Sequence, residues 1–213
     1  MFQIQAFVFN FASENTYVLF NEDKNAWLID PGNMNDQETN LLYSFINEKG
    51  LKIQKILLTH AHIDHVLGLQ WAFNMFKVPV LMHQEDKEVL DMFQISGMRF
   101  GMQLEHINVD LEYIKEGDEL DFDGEKFNIY HVPGHSPGSV VYHNMNQKFM
   151  ISGDVLFEGS IGRTDLYKGN YDQLIDGIKN KLFILDEETQ VFSGHGNPTK
   201  ICFEKKYNPF FKS

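Results

Sequence analysis

Three of the nine histidines fall inside one short segment, Thr59-His60-Ala61-His62-Ile63-Asp64-His65. Imidazole and carboxylate are the side chains that hold zinc and similar first-row metals. In an extended segment, residues two apart point to the same side, so His60 and His62 can reach one ion. Asp64 and His65 follow where a helix would begin and can address a second. Paired ions about 3.5–4 Å apart are the arrangement of two-metal hydrolytic sites. A lone histidine is ordinarily a surface or hydrogen-bonded core residue. Three of them with an aspartate in this register point instead to a metal centre.

Further ligand types stand in matching settings. His135 lies in Val132-Pro133-Gly134-His135-Ser136-Pro137-Gly138, Asp154 in Ile151-Ser152-Gly153-Asp154, and His195 in Phe192-Ser193-Gly194-His195-Gly196. Each follows an expected strand end, and each is preceded by glycine, which permits the tight turn that aims a side chain into a site. His83, His106, His131 and His143 lack that setting and read as surface or core residues, with His131 placed to support a ligand. Thr59 and Ser136 are positioned to orient ligands by hydrogen bonding.

The elements that must carry these residues can be read from periodicity and turn signals. Gln3 to Phe9, Tyr17 to Phe20 and Trp27 to Ile29 read as strands opening a sheet in antiparallel fashion, the last running into the turn Asp30-Pro31-Gly32. A helix is expected from a cap at Asn35 or Asp36, through Leu41, Leu42, Phe45 and Ile46, to Gly50. Ile53 to Leu58 reads as a buried strand that delivers the histidine cluster at its C-terminal end, where layered α/β folds bind ligands. Val66 to Phe76 and residues 84–104 read as helices, and Val78 to Met82 as a strand that Pro79 demotes towards an edge. Phe127 to Val132, Ser139 to His143, Phe149 to Ser152 and Gln190 to Phe192 read as strands, and Tyr171 to Leu185 as a helix. The order suggests an α/β (α+β) chain of two sheets packed together with helices outside.

Composition narrows the class. The 213 residues are 43% hydrophobic and 23% charged, the balance of a globular chain, and suit a single domain over 1–213. Eighteen basic against thirty acidic residues give a net charge of −12, which argues against nucleic acid or an anionic membrane as partner. No apolar run approaches the ~18 residues of a membrane span, and the N-terminus does not read as a signal peptide. One cysteine, Cys202, forbids an internal disulfide and fits a reducing, cytoplasmic setting. The tail residues Tyr207, Phe210 and Phe211 are expected to pack on the domain or on another subunit, and the oligomeric state is left open.

Taken together, the chain resembles the metallo-β-lactamase-fold hydrolases over nearly its whole length, and within them the glyoxalase II (hydroxyacylglutathione hydrolase) group. The resemblance implies a four-layer αββα sandwich and a dinuclear ligand set in chain order. His60, His62 and His135 would hold one ion, Asp64, His65 and His195 the other, and Asp154 would bridge both. It implies two divalent metal ions, zinc foremost, with iron and manganese also suited to the ligands. Gly162-Arg163-Thr164-Asp165 looks like the small bacterial members, in which Arg163 would bind the anionic part of a substrate or brace the loop through Asp165. The chain stops about 18 residues after His195, too short for the C-terminal helical domain that binds glutathione in longer members. The implied activity is hydrolysis of a small-molecule thioester such as S-lactoylglutathione, with Asp64 and Asp154 as catalytic carboxylates. The alternative is a persulfide dioxygenase of the same fold with one iron on His60, His135 and Asp154. A β-lactamase role is disfavoured by the Gly-Arg-Thr-Asp loop and the lack of an export signal.

Overall fold

A computed structural model describes Met1–Lys212. The chain divides into two compact units: Met1–Met82 with Lys87–Tyr113, and His83–Asp86 with the chain from Ile114 onward.

The first unit is built from β1 (Gln3–Phe9), β2 (Glu14–Phe20), β3 (Asn25–Ile29), α1 (Asp36–Lys49), β4 (Lys52–Leu57), α2 (Ile63–Val66), α3 (Leu69–Phe76), β5 (Val80–His83), α4 (Lys87–Asp91), α5 (Phe93–Arg99) and β6 (Leu111–Ile114). The strands form one sheet in the order β1-β2-β3-β4-β5-β6. β1, β2 and β3 pair antiparallel, and β3, β4 and β5 pair parallel. β2 is buried at every residue, the polar Glu14, Asn15 and Thr16 as well as the apolar run Tyr17 to Phe20. Leu42 and Ile46 of α1, with Leu69 and Ala72 of α3, close over a core that contains Val18, Leu28 and Ile56. At the start of α1, Asn35 accepts from Glu38 N, and Gly50 ends the helix at φ 65°. Glu38 reaches back to Met34 N at 2.7 Å and to Asn10 N at 3.0 Å, which pins the β1–β2 turn to the helix entrance.

The structure corrects three expectations here. β5 is an interior strand between β4 and β6, not an edge. Pro79 lies just outside it; its carbonyl accepts from Ile56 N, and Val80 N donates to Asp110 O. The helix expected from Val66 begins at Ile63 and breaks at Gly68, where a Cβ would stand 2.0 Å from Asn33 Oδ1. The helix expected over 84–104 is a short 3₁₀ turn, Gln84–Asp86, followed by α4 and α5, which ends at Arg99.

The second unit continues with β7 (Glu119–Phe122), β8 (Glu125–His131), β9 (Val140–Asn144), β10 (Phe149–Gly153), β11 (Leu156–Phe157), β12 (Ser160–Ile161), α6 (Tyr171–Gly177), β13 (Gln190–Ser193), β14 (Thr199–Lys200) and α7 (Ile201–Tyr207). Its sheet runs β14-β13-β10-β9-β8-β7, all antiparallel except β10 with β13, and β11 and β12 form a separate hairpin. Leu174, Ile175 and Ile178 pack on Val132, Met150 and Val191. The expected helix 171–185 is α up to Gly177 and then a π turn over Ile178–Leu182. Phe211 of the tail packs on this core, its ring 4.7 Å from that of Phe183. β14 and α7, not anticipated from sequence, are tied in by the buried Glu204, which accepts from Thr199 Oγ1 at 2.6 Å and Gly159 N at 3.0 Å. Among the described residues no helix is long and apolar enough to cross a membrane.

His143 of β9 is 3% exposed, and burial lowers its pKa to about 4. An imidazole depressed below its unfolded value of 6.5 binds a proton more readily in the unfolded chain. Its contribution therefore favours the folded state above that value and is lost as pH falls towards 4. His143→Gln, which cannot protonate, is expected to flatten the fall in urea-denaturation stability across that window.

Candidate metal centre

Within the first unit, the site begins at Asp30, at the end of β3. Its φ of 49° is left-handed, a conformation that aspartate tolerates better than most residues. Its carboxylate is 1% exposed and gathers three groups. Oδ1 accepts from Thr59 N at 2.7 Å, and Oδ2 accepts from Thr59 Oγ1 at 2.5 Å and faces His65 Nδ1 at 3.1 Å. Parallel pairing of β3 with β4 brings the ends of the two strands side by side, and so brings Asp30 to Thr59. His60 follows Thr59, His62 occupies the N-cap of α2, and Asp64 and His65 lie in its first turn. The rings of His60 and His62 meet edge-on at 4.8 Å, and those of His60 and His65 lie 4.1 Å apart. Asp64 Oδ2 is 3.7 Å from His65 Nε2.

These contacts assign a partner to Nδ1 of each ring. A carboxylate only accepts, so His65 carries its proton on Nδ1. The Thr59 hydroxyl spends its proton on Asp30, so at 3.1 Å it accepts from His60 Nδ1–H. Sequence reading passed over Asp30 as part of a turn signal. The cue was there in Asp-Pro-Gly at a strand end, but a turn aspartate and a supporting carboxylate look alike until the neighbouring strand is placed. Glu14 lies beneath the cluster, fully buried, with Oε2 2.9 Å from Thr16 Oγ1. Burial pushes its carboxyl well above the usual range.

Within the second unit, His135 sits in the loop after β8, Asp154 directly after β10, and His195 just after β13. β10 and β13 run parallel with Gly153 opposite Ser193, and Gly194 N bonds Gly153 O at 2.8 Å. That register sets Asp154 beside His195. Asp154 Oδ2 is 3.3 Å from His135 Nε2 and 3.5 Å from His195 Nε2, so two imidazoles converge on one carboxylate oxygen. His135 Nδ1 donates to Arg163 O at 2.8 Å. Gly162 allows the approach: a Cβ there would come within 1.9 Å of Asp154 O and 3.0 Å of the His135 ring. Gly134 and Gly153, read from sequence as turn-formers, take φ of 132° and 49°.

Arg163 therefore enters the site through its carbonyl, which sequence reading missed. Its guanidinium forms a bidentate pair with Asp165, Nε to Oδ1 at 2.7 Å and Nη2 to Oδ2 at 2.8 Å, on the exposed side of the loop. The hydrogen bond from Arg163 lowers the Asp165 carboxyl to about 2. Of the two readings of Arg163, the brace to Asp165 is the contact present. Ser136 bonds Asp86 rather than a ligand ring.

The donor set fits divalent metal. Imidazoles with Nδ1 occupied and Nε2 turned towards carboxylates are the arrangement in which an outer hydrogen bond fixes the tautomer of a metal-binding histidine. The clusters hold no thiolate, which suits a hydrolytic or oxygen-ligand centre rather than a closed structural zinc site.

Comparison with known proteins agrees. Residues 10–195 match the family model described as Metallo-beta-lactamase superfamily. The chain is 36% identical over 202 residues to hydroxyacylglutathione hydrolase GloC of Haemophilus influenzae, covering 94% of this chain and 93% of that protein. It is 40% identical over 197 residues to the probable metallo-hydrolase YqgX of Bacillus subtilis, covering 92% and 91%. Among solved structures, BLEG-1 B3 metallo-beta-lactamase superimposes with a TM-score of 0.90 at 35% identity, over 99% of this chain and 100% of that one. TTHA1623, in a di-iron-bound form, gives 0.86 at 32% identity, over 97% and 99%.

Proposed function

The chain belongs to the metallo-β-lactamase superfamily, and from that premise we propose that it hydrolyses a small-molecule acyl thioester of the hydroxyacylglutathione type at a two-metal centre. In this reading His60, His62 and His135 hold one ion, Asp64, His65 and His195 the other, and Asp154 serves both. The observation that carries it is the convergence of His135 and His195 on one oxygen of Asp154, with the outer nitrogen of His135 already spent on Arg163 O. The ions, when bound, supply Lewis acidity that lowers the pKa of water and polarises an acyl oxygen.

The chain's own residues do the rest. Asp30, Thr59 and the Arg163 carbonyl lock three imidazoles in the Nδ1–H form, so no reorganisation is needed as ligands are engaged. Asp64 and Asp154 offset positive charge and orient the attacking water. Arg163 binds the carboxylate of the substrate by exchanging it for Asp165, a swap of like for like on an exposed side chain. Attack by water on the thioester carbonyl breaks the C–S bond and yields a carboxylic acid and a thiol. Similarity to GloC and the Gly162-Arg163-Thr164-Asp165 loop support this substrate class.

The test is elemental analysis of the purified protein beside turnover of S-lactoylglutathione, before and after exhaustive chelation. The expected result is two divalent ions per chain, turnover lost with the metal and regained with zinc. One iron per chain with oxygen uptake on glutathione persulfide would replace this reading with the dioxygenase. Faster turnover of nitrocefin would replace the thioester with a β-lactam, the substrate class named in BLEG-1.

A further inference from the structure

The loop that carries His135 is gripped by a turn that the proposed chemistry does not use. Asp86, in the 3₁₀ turn Gln84–Asp86, is fully buried. A carboxylate is costly to bury unless donors satisfy it. Two of its donors are Ser136 Oγ at 2.7 Å and Gly138 N, both on Oδ1. Gly138 makes the approach possible, because a Cβ at that position would stand 2.6 Å from Asp86 N. The same segment holds the loop a second time. His83 stacks on His131 at 3.9 Å with 16° between the rings, and His131 Nε2 donates to Pro137 O at 2.8 Å. On the other side, Asn170 N donates to Gly134 O at 2.8 Å, and a Cβ at Gly134 would meet Asn170 O at 2.5 Å. His135 is thus the one ring presented by a loop whose residues before and after it are all held.

We propose that Asp86 is a positioning residue for His135: its grip on Ser136 and Gly138 keeps the His135 ring on the Arg163 carbonyl and its Nε2 on Asp154. Ser136 adjoins His135, so a change in the Ser136 backbone rotates the bond that carries the imidazole. Without Asp86, the loop must find new acceptors for two buried donors, and His135 moves with it. The effect on metal binding rests on the two-ion reading; the effect on the ring does not.

The experiment therefore reads both. In metal-free protein above the pH at which imidazoles protonate, ¹⁵N spectroscopy of the histidine rings is expected to find His135 as a slowly exchanging Nδ1–H tautomer. Asp86→Ala is expected to give a tautomer mixture with fast exchange and to weaken zinc binding in a chelator competition by about 10–100-fold. Asp86→Asn, whose Oδ1 still accepts both bonds, is expected to restore the wild-type ring signal and zinc affinity. If Asp86→Ala does not fold, Ser136→Ala, which removes one donor, is expected to show the same ring change in milder form. A ring change with unaltered zinc affinity supports the positioning role and counts against the two-ion reading. A folded Asp86→Ala or Ser136→Ala protein with the wild-type His135 tautomer and exchange rate overturns the proposal.

Discussion

Asp154→Ala is expected to remove metal and thioester turnover together while leaving the fold intact. The carboxylate is 8% exposed, and its Oδ2 is the point on which His135 and His195 converge at 3.3 and 3.5 Å. In the proposed centre, Asp154 would supply negative charge to the ions that His135 and His195 would help to hold. Without it, the two imidazoles face each other across a gap that neutral nitrogen ligands alone must fill. The loss is expected to exceed the 10–100-fold cost usual for an outer hydrogen-bonding partner, since a ligand itself is gone. Zinc retained after dialysis should fall from two ions per chain to one or none, and kcat by about a thousandfold or more, the scale seen when a central catalytic group is deleted. Circular dichroism should be unchanged, because the backbone turn at Gly153 is set by the β10–β13 pairing and not by the side chain. Asp154→Asn separates charge from shape. It keeps an oxygen but brings an amide group towards Nε2 atoms, and is expected to bind metal weakly as well. A variant with full zinc content and full activity would remove Asp154 from the centre.

The second large effect is expected at Asp30, which no reading of the ligand motif includes. Its buried carboxylate satisfies Thr59 N, Thr59 Oγ1 and His65 Nδ1 at once. Asp30→Ala leaves those donors without that partner in a dry environment, at a cost of about 3 kcal/mol or more. It also frees His65 to adopt either tautomer and lets the Thr59 hydroxyl turn away from Asp30, so the His60 ring loses its fixed acceptor. Asp30→Asn is the more informative variant. Its oxygen can still accept from Thr59 N, while its amide nitrogen faces His65 Nδ1 and pushes the proton to Nε2, where a metal ligand needs its lone pair. The expected pattern is a substantial recovery of stability in urea denaturation relative to Asp30→Ala, without recovery of zinc affinity. Equal recovery of both would show that Asp30 braces the fold and does not set the tautomer.

The residues proposed as ligands, their order along the chain and most of the strands that carry them were legible without coordinates. His60, His62, Asp64 and His65 are close in sequence, and local geometry forces such neighbours together. Strands β1 to β4 and β8 to β10 declared themselves through apolar runs and turn residues, because burial and turn chemistry act over a few residues. Helices read less well. Residues 84–104 carry enough apolar spacing for one helix, yet the chain breaks into a turn and two short helices, and that break frees Asp86 to reach Ser136 fifty residues on. Pro79 argued for an edge strand from its missing N–H, but the strand begins one residue later.

The division follows from the range of the forces involved. Residue type and spacing by themselves picked out the histidines and aspartates proposed to bind a cation, the net charge of −12, and the family to which the chain belongs. Only the tertiary structure decided what stands on Nδ1 of His65 and of His135, since Asp30 and the Arg163 carbonyl come from segments distant in sequence, whereas the Thr59 hydroxyl that meets His60 is its immediate neighbour. It likewise showed the brace between the Arg163 guanidinium and Asp165, one of the two readings open from sequence, and added the Arg163 carbonyl as an acceptor for His135. Hydrogen-bond partners distant in sequence are chosen by strand register, and register is a property of the packed sheet.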